Sequence, residues 1–130
     1  MGEANFLPAT VSGAARDEIE FETRLGRVAL PGSSFAAGNP VKGQRVTLCI
    51  RPEHFRPAAG DGPAISLGTA RITGTAFFGT HHRCHLAAAG DIILTAHLPQ
   101  THTPEIGSKL DLRLKADSIA VLQDGAGERA

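Results

Sequence analysis

Val46-Thr47-Leu48-Cys49-Ile50-Arg51-Pro52-Glu53-His54 is the stretch that decides the fold. Val46, Leu48 and Ile50 fall on one face of an extended chain, and Thr47, Cys49 and Arg51 on the other. That alternation is the mark of a half-buried β-strand. Pro52 interrupts it: its ring fixes φ, removes a backbone donor and holds the preceding residue in the extended region. The spacing therefore predicts a strand through Arg51, with Pro52 opening a turn or short helix. Glu53 falls where the free N–H groups of such a turn favour a carboxylate.

The same period of two runs through the rest of the chain. Ile19, Phe21 and Thr23 oppose Glu18, Glu20 and Glu22. Ala70, Ile72, Gly74, Ala76 and Phe78 oppose Thr69, Arg71, Thr73 and Thr75. Ile92, Leu94, Ala96 and Leu98 oppose Asp91, Thr95 and His97, and Leu110, Leu112 and Leu114 oppose Lys109, Asp111, Arg113 and Lys115. Each block has one apolar and one polar face, as antiparallel strands around a single core require. Turn residues separate the blocks at Ser12-Gly13, Pro31-Gly32-Ser33-Ser34, Gly38-Asn39-Pro40, Gly60-Asp61-Gly62-Pro63 and Ala89-Gly90-Asp91. No segment carries a sustained helical stripe, and Phe35 to Gly38 is at most a turn. The fold class is all-β, a small barrel or sandwich. Residues 1–122 form one domain, 56–65 a mobile loop and 123–130 a disordered tail.

Composition narrows the function. The chain has 130 residues, 42% of them hydrophobic, enough for one real core. Lys plus Arg equals Asp plus Glu at 13 each, so no global field draws nucleic acid or anionic lipid. Cys49 and Cys84 lie far apart inside strands and suit a reduced, buried pair in the cytosol. No apolar run approaches the roughly 18 residues of a spanning helix, and Met1-Gly2-Glu3-Ala4 lacks the features of a signal peptide.

The candidate chemistry is sparse. A phosphate loop needs G-x-x-x-x-G-K-[ST]; the nearest approach, Gly38-Asn39-Pro40-Val41-Lys42-Gly43-Gln44, has Gln where Lys must be and precedes a strand. His81, Arg83 and His85 share one strand face. If Ala89-Gly90-Asp91 closes a three-residue hairpin, Arg83 pairs with His97 and His85 with Thr95. His85 and His97 become diagonal neighbours roughly 7 Å apart between Cα or Cβ atoms. No third ligand or C-x-x-C spacing accompanies them, so surface histidines are the reading and no metal or other cofactor is expected. Nucleic-acid sites need basic grooves with aromatic platforms. The chain has no Trp or Tyr, and Phe21 and Phe78 point to the core by this pattern. No Ser, His and carboxylate can be brought together for nucleophilic catalysis.

Four segments, in order and spacing, carry a resemblance: Asn5-Phe6-Leu7-Pro8, Ile50-Arg51-Pro52-Glu53-His54, Phe78-Gly79 and Asp117-Ser118-Ile119-Ala120-Val121-Leu122. Together they resemble the TOBE domain that follows the ATPase domain of ABC importers for sugars, polyamines and ferric iron. The chain departs from that pattern at Ala9, where Gly often follows Pro, and at His81-His82-Arg83-Cys84-His85. The resemblance implies a small OB-like antiparallel barrel and a piece of a longer ATPase, with no chemistry of its own. It also implies a C-terminal accessory or regulatory role, in the cytoplasm and peripheral to the inner membrane.

The implied partners are the ATPase domain of the same parent chain, a homodimer through that ATPase and, indirectly, membrane permease subunits, with no nucleic acid. Arg51, Pro52, Glu53 and His54 are the implied contact or hinge motif, projecting from the barrel on a rigid turn. The alternative is a ligand-sensing domain. Relatives in molybdate systems bind oxyanions at subunit interfaces, and Gly2-Glu3-Ala4-Asn5 is the comparable stretch, with Asn5 the candidate ligand-binding residue. Glu3 places negative charge where an anion site would want none. With its phosphate loop missing, the chain should give no saturable heat with Mg-ATP near millimolar concentration by calorimetry; a micromolar isotherm would overturn that expectation.

Overall fold

The computed structural model describes residues 4–15, 17–31, 41–55, 64–115 and 118–123. Nine strands form two antiparallel sheets: β1 (Asn5–Ala15), β2 (Glu18–Thr23), β3 (Gly26–Pro31), β4 (Arg45–Ile50), β5 (Ile65–Phe77), β6 (His81–Ala88), β7 (Ile92–Pro99), β8 (Lys109–Leu114) and β9 (Ala120–Gln123). The first sheet runs β3-β2-β1-β4-β9, and the second β7-β6-β5-β8. The result is an all-β, OB-like antiparallel barrel, with no α-helix among the described residues.

The alternation read from the sequence fixes which residues enter the core. Leu7, Phe21, Leu30, Leu48 and Ile50 come from the first sheet, and Ile72, Leu86, Leu94, Leu98, Leu112 and Leu114 from the second; all are fully buried. A one-residue slip in any strand would turn these side chains out to solvent, so burial itself sets the register.

One block breaks the pattern. Between Ile72 and Gly74 the β5–β6 ladder shifts by a residue, so that Gly74 lies opposite His85 and Thr75 opposite Cys84. A bulge of this kind reverses the faces beyond it. Gly74 and Ala76 thereby join the outer face, Thr75 turns toward Cys84, and Phe78 is 58% exposed rather than in the core. Phe77 is exposed as well. Phe21 is buried as expected.

Other boundaries differ in detail. Ladder pairing of β4 ends at Ile50, although Arg51 keeps extended angles. Gln123 pairs with Val46 in β9 and so belongs to the barrel rather than to a tail, and Ile65 opens β5. The expected turn at Phe35–Gly38, the loop over 56–63 and the tail over 124–130 lie outside the described residues.

What ties the two sheets together is a side chain. Asn5, 7% exposed, donates through Nδ2 to the Ile50 carbonyl at 3.1 Å and to the Thr95 carbonyl at 2.9 Å, and its Oδ1 accepts from the Thr95 N–H at 2.8 Å. Thr95 lies in β7, an outer strand of its sheet. The carboxamide thus stands in for a neighbouring strand, engaging both a donor and an acceptor. Asn5→Ala would strand the Thr95 N–H and C=O in a partly buried position, where each unsatisfied group costs about 1–3 kcal/mol. Denaturant unfolding should show a loss of about 2–5 kcal/mol for Asn5→Ala, against less than about 0.5 kcal/mol for Thr69→Ala on an exposed face.

Candidate functional site

The decisive stretch leaves β4 and bends at once. Arg51 is extended at φ −77° and ψ 141°, as a residue before proline must be, and Pro52–His54 form one 3-10 turn with Pro52 in its first turn. The His54 N–H closes the turn on the Arg51 carbonyl at 3.0 Å. This turn packs against β7. Its two ends are pinned: Asn5 holds the Ile50 carbonyl just before it, and Phe55, 3% exposed, enters the core just after it.

The four motif residues therefore divide by position. Pro52 is buried and acts as the bracket, while Arg51 and Glu53 are exposed. His54 does not project freely: it is half-buried, and its Nδ1 is buried without a hydrogen-bond partner. The surface that this turn offers is a neighbouring cation and anion on a backbone anchored at both ends. Asn5, the candidate ligand residue, points into the protein, and both of its N–H donors serve the fold.

His81, His85 and His97 share the outer face of β6 and β7. The three-residue Ala89–Asp91 connection forms as expected, with Asp91 taking the positive φ of 65° that such a loop needs. Arg83 lies opposite His97, and His85 opposite Thr95. The rings pair differently from the spacing argument, however. His97 packs against His81 in a tilted pair with centroids 4.5 Å apart, and His81 also meets Phe78 edge-on at 5.6 Å. Arg83 Nη1 lies 3.0 Å from His85 Nε2. A guanidinium can only donate, so it occupies the lone pair a metal would need. No group of three or more His, Cys, Asp or Glu among the described residues could hold a metal ion.

Cys49 is half-buried in β4 and Cys84 fully buried in β6, both as free thiols in different sheets. Burial pushes the Cys84 thiol above its ordinary range, with a weak opposing contact to Thr75 Oγ1 at 3.8 Å. It is a small apolar filler rather than a nucleophile.

Among the described residues, grooves lie along the first sheet at two places. The larger, about 530 Å3, is lined by Pro8, Ala9 and Thr10 of β1, Glu22, Thr23 and Arg24 at the β2–β3 turn, and Arg45 and Val46 of β4. The smaller, about 300 Å3, is lined by Gly13, Ala14, Glu18, Glu20 and Ala29 and is acidic. Sequence reading had missed the first. Its signal was Pro8 within a strand: β1 pairs with β2 only from Ala9 onward, and proline has no N–H to prolong the ladder.

The sequence profile of the TOBE domain matches residues 48–122, more than half of the chain. The chain belongs to the TOBE domain family. Relatives of this TOBE domain include the sn-glycerol-3-phosphate import ATP-binding protein of Chromobacterium violaceum, 34% identical over 84 residues, which are 64% of this chain and 22% of that protein. The protein of the same name from Paraburkholderia xenovorans is 31% identical over 121 residues, covering 81% of this chain and 32% of its own length. The spermidine/putrescine import ATP-binding protein of Ruegeria pomeroyi is 27% identical over 128 residues, covering 95% and 33%. This TOBE domain therefore spans between about a fifth and a third of the curated relatives it matches.

Among solved structures, the cytoplasmic molybdate-binding protein ModG, in a form with molybdate bound, superposes with a TM-score of 0.73 at 15% identity, over 92% of this chain and 95% of that one. That likeness establishes the shared fold. No helix among the described residues of the TOBE domain is long and apolar enough to cross a membrane.

Stability and surface roles should separate within the motif. Pro52→Gly frees the unfolded chain and empties a buried position, costing about 1 kcal/mol or more. Glu53→Ala removes only an exposed carboxylate near free N–H groups, worth at most about 0.3–1 kcal/mol. Guanidinium unfolding of the two variants checks the order; a Glu53→Ala loss as large as that of Pro52→Gly would make the motif a purely internal bracket.

Proposed function

We propose that this TOBE domain is the accessory, regulatory C-terminal domain of a cytoplasmic ABC-importer ATPase subunit, without chemistry of its own. The observation that carries the reading is the family match over residues 48–122, together with relatives that are import ATP-binding proteins. The Arg51–His54 turn suits a contact element on two counts. Its backbone is held by buried Pro52 and Phe55, and it presents Arg51 and Glu53 to solvent. A contact made by exposed charges on a rigid support sacrifices little conformational freedom when it forms. The partners on this reading are the ATPase domain of the parent chain, a second parent subunit and, through them, the membrane permease. The site of action is the cytoplasmic side of the inner membrane.

A second reading, ligand sensing, draws support from the likeness to ModG, whose solved form holds molybdate. On this reading a small anion would act as a signal rather than a substrate. Asn5 is not its ligand, because its carboxamide is committed to Ile50 and Thr95.

The contact reading is tested in the full-length parent transporter. Arg51→Ala and Glu53→Ala should each reduce solute uptake about two- to fivefold, the effect of losing roughly 0.5–1 kcal/mol at a surface contact. The unfolding midpoint of the domain should shift by no more than the loss of about 0.3–1 kcal/mol expected for an exposed charge. Unchanged uptake in the double variant would sink the contact role.

A further inference from the structure

We propose that the groove between β1, the β2–β3 turn and the start of β4 binds a small phosphomonoester, with Arg24 and Arg45 holding its phosphate. This site rests on the ligand-sensing reading and gives it a location and a ligand class. The groove exists because of a backbone fact. Ladder pairing of β1 with β2 begins at Ala9↔Thr23, while the pairing of β1 with β4 continues past Pro8 to Asn5↔Ile50. On the β2 side the chain instead turns away at Arg24 and Leu25. Thr23 Oγ1 fixes that turn, accepting from the Leu25 N–H at 2.9 Å and donating to the Gly26 carbonyl at 2.8 Å. A notch is left beside Pro8, and two arginines border it.

The charges around the notch favour an anion. The lining carries Arg24 and Arg45 against a single carboxylate, Glu22. Glu22 lies 3.3 Å from Arg27 Nη2, on the strand beyond, so an opposing charge already compensates it. Arg45 stands next to Thr10, which lies between it and Glu22 in the strand order. Guanidinium groups match phosphate oxygens with two parallel N–H donors, the geometry in which Arg recognises phosphate. The acidic second groove, lined by Glu18 and Glu20, has no such donors and serves as an internal contrast.

Size and wall chemistry select within the anions. A volume near 530 Å3 exceeds a bare tetrahedral oxyanion and falls in the range of small-molecule sites. Pro8 provides an apolar wall for the carbon portion of an ester. A phosphomonoester of a small polyol meets both demands, the arginines taking the phosphate and the proline side the carbon chain.

Calorimetry on the 130-residue chain, with glycerol 2-phosphate, inorganic phosphate, molybdate and glycerol as probes, tests the assignment. Glycerol 2-phosphate should give a saturable isotherm and bind more tightly than inorganic phosphate, with no heat from glycerol. Arg45→Gln and Arg24→Gln should each weaken binding by about tenfold or more, as the loss of a charge-assisted hydrogen bond predicts. Arg113→Gln, on the other sheet, should leave it unchanged. Both groove arginines are exposed, so melting temperatures should hold. Equal affinity for inorganic phosphate would overturn the phosphomonoester assignment. Binding of glycerol 2-phosphate or molybdate that is indifferent to both arginine substitutions would overturn the groove and leave ligand sensing standing. Silence from every probe would remove the groove and the ligand-sensing reading together, with the contact role untouched.

Discussion

The barrel depends on one carboxamide placed where a strand is missing. β7 ends its sheet, so one side of its backbone has no ladder partner within that sheet. Leaving such groups dry and unpaired would cost more than most single contacts contribute. Asn5 answers with a donor and an acceptor aimed at the same residue, and spends its remaining N–H on the last paired residue of β4. One side chain thus sets the spacing of the two sheets and the point at which β4 stops. The Arg51–His54 turn inherits its direction from that arrangement. A side chain of this kind cannot serve a ligand as well, because both of its donors are used.

The motif shows how a short sequence can serve packing and display together. Pro52 faces inward and Glu53 outward, one residue apart, because a 3-10 turn distributes its side chains around a tight axis. Rigidity and exposure are thereby supplied by neighbours rather than by one residue. The same division recurs on the second sheet, where Cys84 and Leu86 fill the core while Arg83 and His85 hold each other on the surface.

Much of the fold was legible because burial enforces period two. The faces of β2, β4, β7 and β8 follow directly from their alternation, as does the β6–β7 register once Ala89-Gly90-Asp91 is recognised as a three-residue loop. β5 was misread beyond Ile72. A bulge adds one residue without any obligatory sequence mark, and Gly74 looked like one more small residue on the inner face. Phe78 was placed in the core for that reason alone. The candidate site was less legible than the fold. Pro52 announced a turn, but nothing local announced that His54 would be half-buried. Asn5 looked like a polar residue at a strand start, and its partner Thr95 lies 90 residues away. The arginine-bordered groove depends on where one ladder ends, which no single segment specifies.

The strand order also imposes a sequence of events on synthesis. β4 must pair with β9, so residues 46–49 wait for residues 120–123. Sheet-forming contacts this distant in sequence make folding slow, because loop closure precedes any gain from pairing. On the ribosome, β1 through β4 can form a four-stranded sheet whose β4 edge stays open while some seventy further residues emerge. That edge, carrying Val46 and Leu48, is the surface a chaperone would have to guard until β9 arrives and covers it.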